Sequence, residues 1–294
     1  VIRPFRNPRW HDKVNQINDC GAKETVMAKS VLLVGQGSHL ARAVLGAQGE
    51  DISIDAVSHG VDWDGINLTR YQVVVNMAYD LRYMREAYDE RRDFDLFVAQ
   101  QAARAGCHHV MMSTRRVYGP SAPFPVKEDH PPAPVDHYGS NKLKTELAVQ
   151  KLLGERCTIL RIANVFDFEP GRHTFFGIAL RSLKETNRIV LDVSPFVRRD
   201  FIDIAEFAQI ARRVLAVCPS GVFNLGSGHA TEVGNIAMWL MEGYGKGELL
   251  VTSSEERDSF ELDRSKLALT LGSLGVSSDI RARCIEIGNR LIDE

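Results

Sequence analysis

Apolar positions along this chain fall into two alternating patterns. Short continuous runs recur: Val31-Leu-Leu-Val34, Ile52-Ser-Ile-Asp-Ala-Val57, Val73-Val-Val-Asn-Met77, His109-Val-Met-Met-Ser113 and Thr158 to Ile162. They are strand-length and carry few polar residues, as strands buried on both faces do. Between them lie stretches with apolar residues three and four apart, which predict helices over His39 to Gln48, about Asp93 to Ala105, and Ser140 to Leu153. Strands alternating with helices predict an α/β fold built on a doubly wound parallel sheet. In such sheets ligands bind at the carboxyl ends of the strands. Past residue 165 the pattern is less regular. Phe175 to Lys184 reads as a helix, Ile189 to Leu191 and Gly221 to Gly226 as strands, and Asp203-Ile-Ala-Glu206 as a capping box opening a helix to Ala216.

The breaks in this pattern carry chemistry. Val34-Gly-Gln-Gly-Ser-His-Leu-Ala41 follows the first strand, where a dinucleotide-binding turn belongs. Gly35 and Gly37 permit a tight turn, and the helix start at Ser38, His39 and Leu40 would receive the anion. The motif is degenerate: Ser38 and Ala41 stand where glycines are expected. Asp55 lies 20 residues after Gly35 and would bind a ribose hydroxyl, which favours NAD. If the strand runs on to Ser58-His59, an uncharged or basic tip suits the 2′-phosphate of NADP better. Tyr138 and Lys142 lie four apart, on one face of the third helix. A phenol with a pKa of about 10 is a poor base near neutrality, and a neighbouring ammonium lowers that value. The pair is then suited to moving a proton at a carbinol or carbonyl. Pro120 to His137 carries six prolines and reads as a long loop leading into that helix.

Composition narrows the remaining possibilities. With 294 residues, 44% hydrophobic and 25% charged, the chain has the makeup of a globular protein with a substantial core. The net charge of -2, with basic residues spread out, does not suggest a nucleic-acid partner, and no apolar run reaches membrane-spanning length. The five cysteines, Cys20, Cys107, Cys157, Cys218 and Cys284, are scattered, form no Cys-x-x-Cys, and point to reduced thiols in a cytoplasmic protein with no metal site. Residues 1–28 are polar and aperiodic. They read as an N-terminal extension before Met27-Ala-Lys-Ser, with an arm packing on the body as the alternative.

Taken in order, these motifs resemble the extended short-chain dehydrogenase/reductases, specifically the NAD-dependent epimerase/dehydratase group acting on nucleotide sugars. The resemblance covers residues 31 to about 270. It rests on the glycine turn, Asn76-Met-Ala-Tyr79, Ser113-Thr-Arg-Arg-Val-Tyr-Gly119, Glu128-Asp-His-Pro-Pro-Ala-Pro134, the Tyr138–Lys142 pair, Leu160-Arg-Ile-Ala-Asn-Val165, Arg199-Asp-Phe-Ile-Asp-Ile204 and Phe223-Asn-Leu-Gly-Ser-Gly228. It implies a Rossmann domain over 29–165 and a substrate-binding portion over 166–294, with parts near 199–226 returning to the sheet. It implies catalytic roles for Thr114, Tyr138 and Lys142. Cofactor contacts at Ala78, Tyr138 and Lys142 would add to those at the glycine turn. Substrate contacts are implied at Thr114, Asn164, Arg199 and Arg257. A homodimer is a further expectation from the resemblance.

The departures from the family pattern also inform. Arg115 and Arg116 occupy the positions where the family's sugar 4,6-dehydratases carry acidic residues, and arginine stays protonated, which argues against a dehydratase. The helix near Asp93 starts with Arg-Arg-Asp-Phe-Asp in place of the family's Asn-x-x-Gly-Thr. About 265 residues follow Met27, closer to the family's ketoreductases than to its epimerases. The expected function is therefore an NAD(P)-dependent 4-ketoreductase of a nucleotide-linked sugar, with an epimerase, a non-catalytic dinucleotide-binding regulator and a reductase of a non-sugar ketone as alternatives.

Overall fold

The fold is described from a computed structural model covering residues 28–49, 52–78, 80–120, 122–275 and 278–294. The expectation for residues 1–28 therefore lies, but for Ala28, outside the described residues, as does Tyr79 of the third-strand motif.

Six parallel strands form the central sheet: β1 Lys29–Val34, β2 Ile52–Val57, β3 Val73–Asn76, β4 His108–Thr114, β5 Cys157–Ile162 and, later in the chain, Gly221–Leu225. The spatial order is β2-β1-β3-β4-β5 followed by the Gly221–Leu225 strand. Successive residues of β1 show why these runs are apolar throughout. Val31 and Leu33 face a core shared with α1 His39–Gly46, whereas Leu32 and Val34 face one shared with α2 Phe94–Ala105. Burial on both faces replaces the alternating pattern of a half-exposed strand. Helix α3, His137–Leu153, packs beside α2 on that second face.

α3 begins three residues earlier than the apolar spacing predicts, because the Asp136 carboxylate caps it by accepting from Gly139 N at 2.7 Å. Tyr138 thus lies in the first turn. Thr114 ends β4, and a short 3₁₀ turn, Arg115–Tyr118, leads into the proline-rich loop. That loop is tied down by Val126, whose amide donates to Glu261 O at 2.8 Å and whose carbonyl accepts from Asp263 N at 2.9 Å.

The less regular second half resolves into β6 Asn164–Phe166, α4 Phe175–Thr186, β7 Arg188–Leu191, β8 Arg198–Asp203 and α5 Ile204–Val217. The Gly221–Leu225 strand is β9. After it come β10 Ala230–Glu232, α6 Val233–Tyr244, β11 Glu248–Val251, α7 Ser265–Leu271 and α8 Ile280–Arg290. β10, β8 and β6 make a three-stranded sheet, and β11 and β7 a two-stranded one. α4, α6 and α8 enclose a separate apolar core with Leu180, Leu183, Ile236, Leu240 and Ile287. α5 returns to the first face of the main sheet through Phe207, Ala211 and Val214. Asp203 caps α5 as the sequence predicts, but Glu206 pairs with Arg264 at 3.0 Å rather than completing a capping box.

Candidate active site

β1 and β3 are neighbours whose connections run to opposite sides of the sheet, so a crevice opens at their carboxyl ends. Gly35 occupies it with φ of +90°. A Cβ there would lie 2.4 Å from Ala78 N, so only glycine lets the turn close against the end of β3. The amides of Gly35 and Gln36 donate to Val57 O at 2.8 and 3.0 Å, and Ser38 caps α1 by accepting from Ala41 N. An arriving anion would meet the first helical turn, where His39 and Leu40 line the cleft.

The cleft has a volume of about 720 Å³. Ser38, His39, Leu40 and Ala78 line one end, and Thr114, Tyr138 and Lys142 its floor. Asn164 and Arg199 line the other side, from β6 and β8. The structure thus brings together residues that lie up to 161 positions apart in the chain. The Thr114 hydroxyl and the Tyr138 phenol both line this floor, and the threonine hydroxyl acts to lower the phenol's pKa. Gly139 makes this approach possible, because a Cβ there would lie 2.6 Å from Arg116 O, on the turn that follows Thr114. Lys142 is buried, with Nζ 2.5 Å from Asp95 Oδ2 and 3.0 Å from Met112 O. Below the floor Glu146 pairs with Arg161 at 2.7 Å and accepts from Ser113 Oγ, a buried ion pair that fixes β4 and β5 to α3.

Electrostatics here correct one expectation. The Tyr138 phenol is raised above its ordinary value because burial outweighs the lowering by the Lys142 ammonium, and Asp95 pushes in the same direction as burial. Lys142 is raised too: burial alone would lower it, but Asp95 and Tyr138 together overcome that effect.

Two further expectations are corrected by geometry. Asp55 is not at the tip of β2, since the strand runs to Val57, in register with Val34. Its carboxylate is exposed and accepts from the Tyr71 hydroxyl at 2.8 Å, away from the cleft. The tip residues are Ser58 and His59. Arg257 also points away, held by exposed carboxylates at Asp192 and Glu255, both at 3.2 Å.

Arg115 does line the cleft, and its guanidinium grips Asp258 bidentately at 2.5 and 2.7 Å and lies over the Phe260 ring. Arg199 reaches the same Asp258 only at 3.7 Å, and among the described groups its buried Nε has no hydrogen-bond partner. Its neighbour Asp200 is not its counterion, being turned inward to accept from Ser227.

The glycine turn has a neighbour that no local pattern announces. Glu169, in the loop after β6, contacts His39 and lies 3.1 Å from Arg172 and 3.4 Å from Arg42. Burial pushes His39 down to about 4, so it is neutral near pH 7. No group of three His, Cys, Asp or Glu side chains suited to a metal occurs among the described residues.

Comparisons with known proteins agree with this architecture. The family model for the RmlD substrate binding domain matches residues 66–233, more than half of the chain. RMD from Pseudomonas aeruginosa, solved with NADPH, superposes with a TM-score of 0.73 at 17% identity, covering 90% of this chain and 99% of that one. UDP-N-acetylglucosamine 4-epimerase from Methanobrevibacter ruminantium, solved with UDP-N-acetylmuramic acid, superposes with a TM-score of 0.76 at 15% identity, over 90% and 99% of the two chains. UDP-glucose 4-epimerase of Azospirillum brasilense is 39% identical over 75 residues, which are 24% of this chain and only 22% of that protein. The glycine turn against β3, the Thr114–Tyr138–Lys142 floor and the matched family model lead to one conclusion: the chain belongs to the RmlD substrate-binding-domain family, within the extended short-chain dehydrogenase/reductases.

Proposed function

We propose that this protein is an NAD(P)-dependent oxidoreductase acting on a keto or carbinol carbon of a nucleotide-linked sugar, working as a 4-ketoreductase. The observation that carries this reading is the Tyr138 phenol on the cleft floor, beside Thr114 and one helical turn from the Lys142 ammonium. We place cofactor binding in the part formed by residues 29–165 and most substrate contacts in 166–294.

The residues of the crevice fit a dinucleotide. Gly35 leaves room where a Cβ would collide, the first turn of α1 faces the cleft, and Ala78 walls the end of β3. Arg42 and Arg172 supply positive charge there, shared with Glu169. When bound, the cofactor supplies the hydride. Tyr138 gives its hydroxyl proton to the sugar oxygen as the carbonyl becomes an alcohol, and solvent later restores that proton. Thr114 fixes the oxygen in line with the phenol. Lys142 holds charge beside the tyrosinate as it forms, and Asn164, Arg199 and Arg115 receive the substrate's anionic portion. Arg115 and Arg116, each paired to a carboxylate, are permanent cations and cannot remove a proton, which disfavours a dehydratase.

With Asp55 turned away and Ser58-His59 at the tip of β2, the pocket suits a 2′-phosphate, and we propose NADPH as the preferred cofactor. The local match to a UDP-glucose 4-epimerase keeps a second reading open, in which the hydride is removed and returned without net cofactor consumption. Fluorescence titration with NADH and NADPH tests the cofactor reading. Tighter NADPH binding is expected, and binding of neither would overturn the proposal. Exposed Phe97 on α2 and Leu147 and Leu152 on α3 give the surface for the expected homodimer.

A further inference from the structure

The Tyr138–Lys142 pair has a third member in Asp95, which lies in the first turn of α2, where the helix start favours a negative charge. An ammonium has three donors. Lys142 commits one to Asp95 Oδ2 at 2.5 Å and another to Met112 O at 3.0 Å, and both acceptors approach it from the sheet and α2. The other Asp95 oxygen accepts from Asn76 Nδ2 at 2.6 Å, while Asn76 Oδ1 accepts from Ala78 N at 3.0 Å. The carboxylate therefore ties Lys142 to the end of β3, beside the glycine turn. Asn76, Asp95 and Lys142 are 1%, 7% and 4% exposed, so water screens none of these charges well.

A lone ammonium one helical turn from a phenol would strongly favour the phenolate. With a carboxylate against it, the phenol faces a dipole instead. We propose that Asp95 is a positioning residue of this active site, anchoring Lys142 and offsetting the field of its ammonium at Tyr138, so that the phenol is held as a proton donor. The proposal rests on the oxidoreductase reading for its meaning in catalysis, though the electrostatic coupling itself does not. A protonated phenol suits reduction, which requires a proton for the carbonyl oxygen.

The other groups facing this cluster do not reproduce the effect. Asp93, at the start of α2, accepts from Thr145 at 2.5 Å and Tyr88 at 3.0 Å. On β4, His109 is pushed down to about 4 by burial and is neutral, and Thr114 is uncharged. Arg116 is paired with Asp136 at 2.8 Å. The direction at Tyr138 agrees, with Asp95 raising the phenol against the lowering by Lys142.

The test is a pH titration of the full chain labelled with ζ-13C tyrosine, with Tyr138 assigned by the signal lost in Tyr138→Phe. In Asp95→Asn the Tyr138 midpoint should fall by about one to three pH units, the usual effect of a neighbouring charge. Asp95→Glu should restore it, and the fall should vanish when Lys142→Met is added. Asp95→Ser carries the same test should Asp95→Asn fail to fold. An unmoved or raised midpoint in the folded variant would overturn the proposal. This titration needs neither cofactor nor substrate, so absence of turnover would sink the oxidoreductase reading while leaving the Asp95 result to stand by itself. In turnover, Asp95→Asn should shift the alkaline limb of the kcat profile to lower pH with KM unchanged, which a merely structural residue would not do.

Discussion

Replacing Gly139 with alanine probes the contact that joins the helix of Tyr138 to the turn after Thr114. The added Cβ would lie 2.6 Å from Arg116 O and 3.0 Å from both Arg116 C and Pro134 Cβ. A relaxed carbon–oxygen contact begins near 3.3 Å, so α3 and the 115–118 turn must separate by roughly 0.7 Å. The obstacle is backbone, which cannot swing aside as a side chain does. Overpacking of this kind costs about 1–3 kcal/mol. Alanine recovers about 0.5–1 kcal/mol of helix preference over glycine. The net expectation is a loss of about 1–2 kcal/mol in urea unfolding. The catalytic loss should be larger than the stability loss suggests, because the separation occurs between Thr114 and Tyr138. A misplacement approaching 1 Å costs on the order of 10²-fold in rate, so kcat should fall at least about tenfold in the folded variant. Gly46→Ala is the matched control. A Cβ there meets nothing within 4 Å, so stability should rise by about 0.4–1 kcal/mol with kcat unchanged. If Gly139→Ala were as stable and active as Gly46→Ala, the account of how Tyr138 reaches Thr114 would be wrong.

Three other predictions use different parts of the molecule. Arg257→Ala should leave the substrate KM unchanged, whereas Arg115→Ala should raise it, because only Arg115 faces the cleft; steady-state kinetics on both variants decides this. Asp55→Asn should leave the ratio of NADPH to NADH affinity as it is, since Asp55 is engaged with Tyr71, and fluorescence titration reads that ratio. His109 is fully buried and held down at about 4 against 6.5 unfolded, so the unfolded chain binds the extra proton between these values. Its contribution is complete above pH 6.5 and is lost as pH falls toward 4, amounting to about 2 kcal/mol by pH 5. Urea unfolding at pH 7 and 5 should therefore show a smaller pH-dependent loss in His109→Gln than in the natural chain.

Much of the sheet was legible because β1, β3, β4 and β5 are buried on both faces and written as continuous apolar runs. The Thr114–Tyr138–Lys142 floor was legible because Tyr138 and Lys142 share a helix and Thr114 ends a recognisable strand. The misreadings concern contacts between distant segments. The sequence reading places Arg257 and not Arg115 at the substrate, and only the long-range contact of Arg115 with Asp258, 143 positions away, goes with Arg115 lining the cleft. Asp55 has the right spacing from Gly35, and the strand to Val57 was legible, but spacing does not reveal that the Asp55 carboxylate is taken by the Tyr71 hydroxyl. Asp95 stands in the segment where the sequence departs from the family pattern. The sequence marks that segment as unusual, yet only the packing of α2 on α3 shows that its carboxylate meets Lys142. β7 was legible at Ile189 to Leu191, but the other strands of the small sheets and α6 to α8 escaped notice because those strands are only three to six residues long and their core is assembled from pieces far apart in the chain.

The most direct test of the central claim is a single-turnover reaction of the protein with NADPH and a panel of nucleotide-linked 4-keto sugars, followed by the absorbance of the reduced nicotinamide. The account predicts loss of one reduced cofactor per keto sugar consumed, abolished by Tyr138→Phe while that variant still binds NADPH. Tight cofactor binding without net oxidation, accompanied by sugar interconversion, would contradict the reductase in favour of an epimerase, and undiminished turnover in Tyr138→Phe would contradict the assignment of the active site itself.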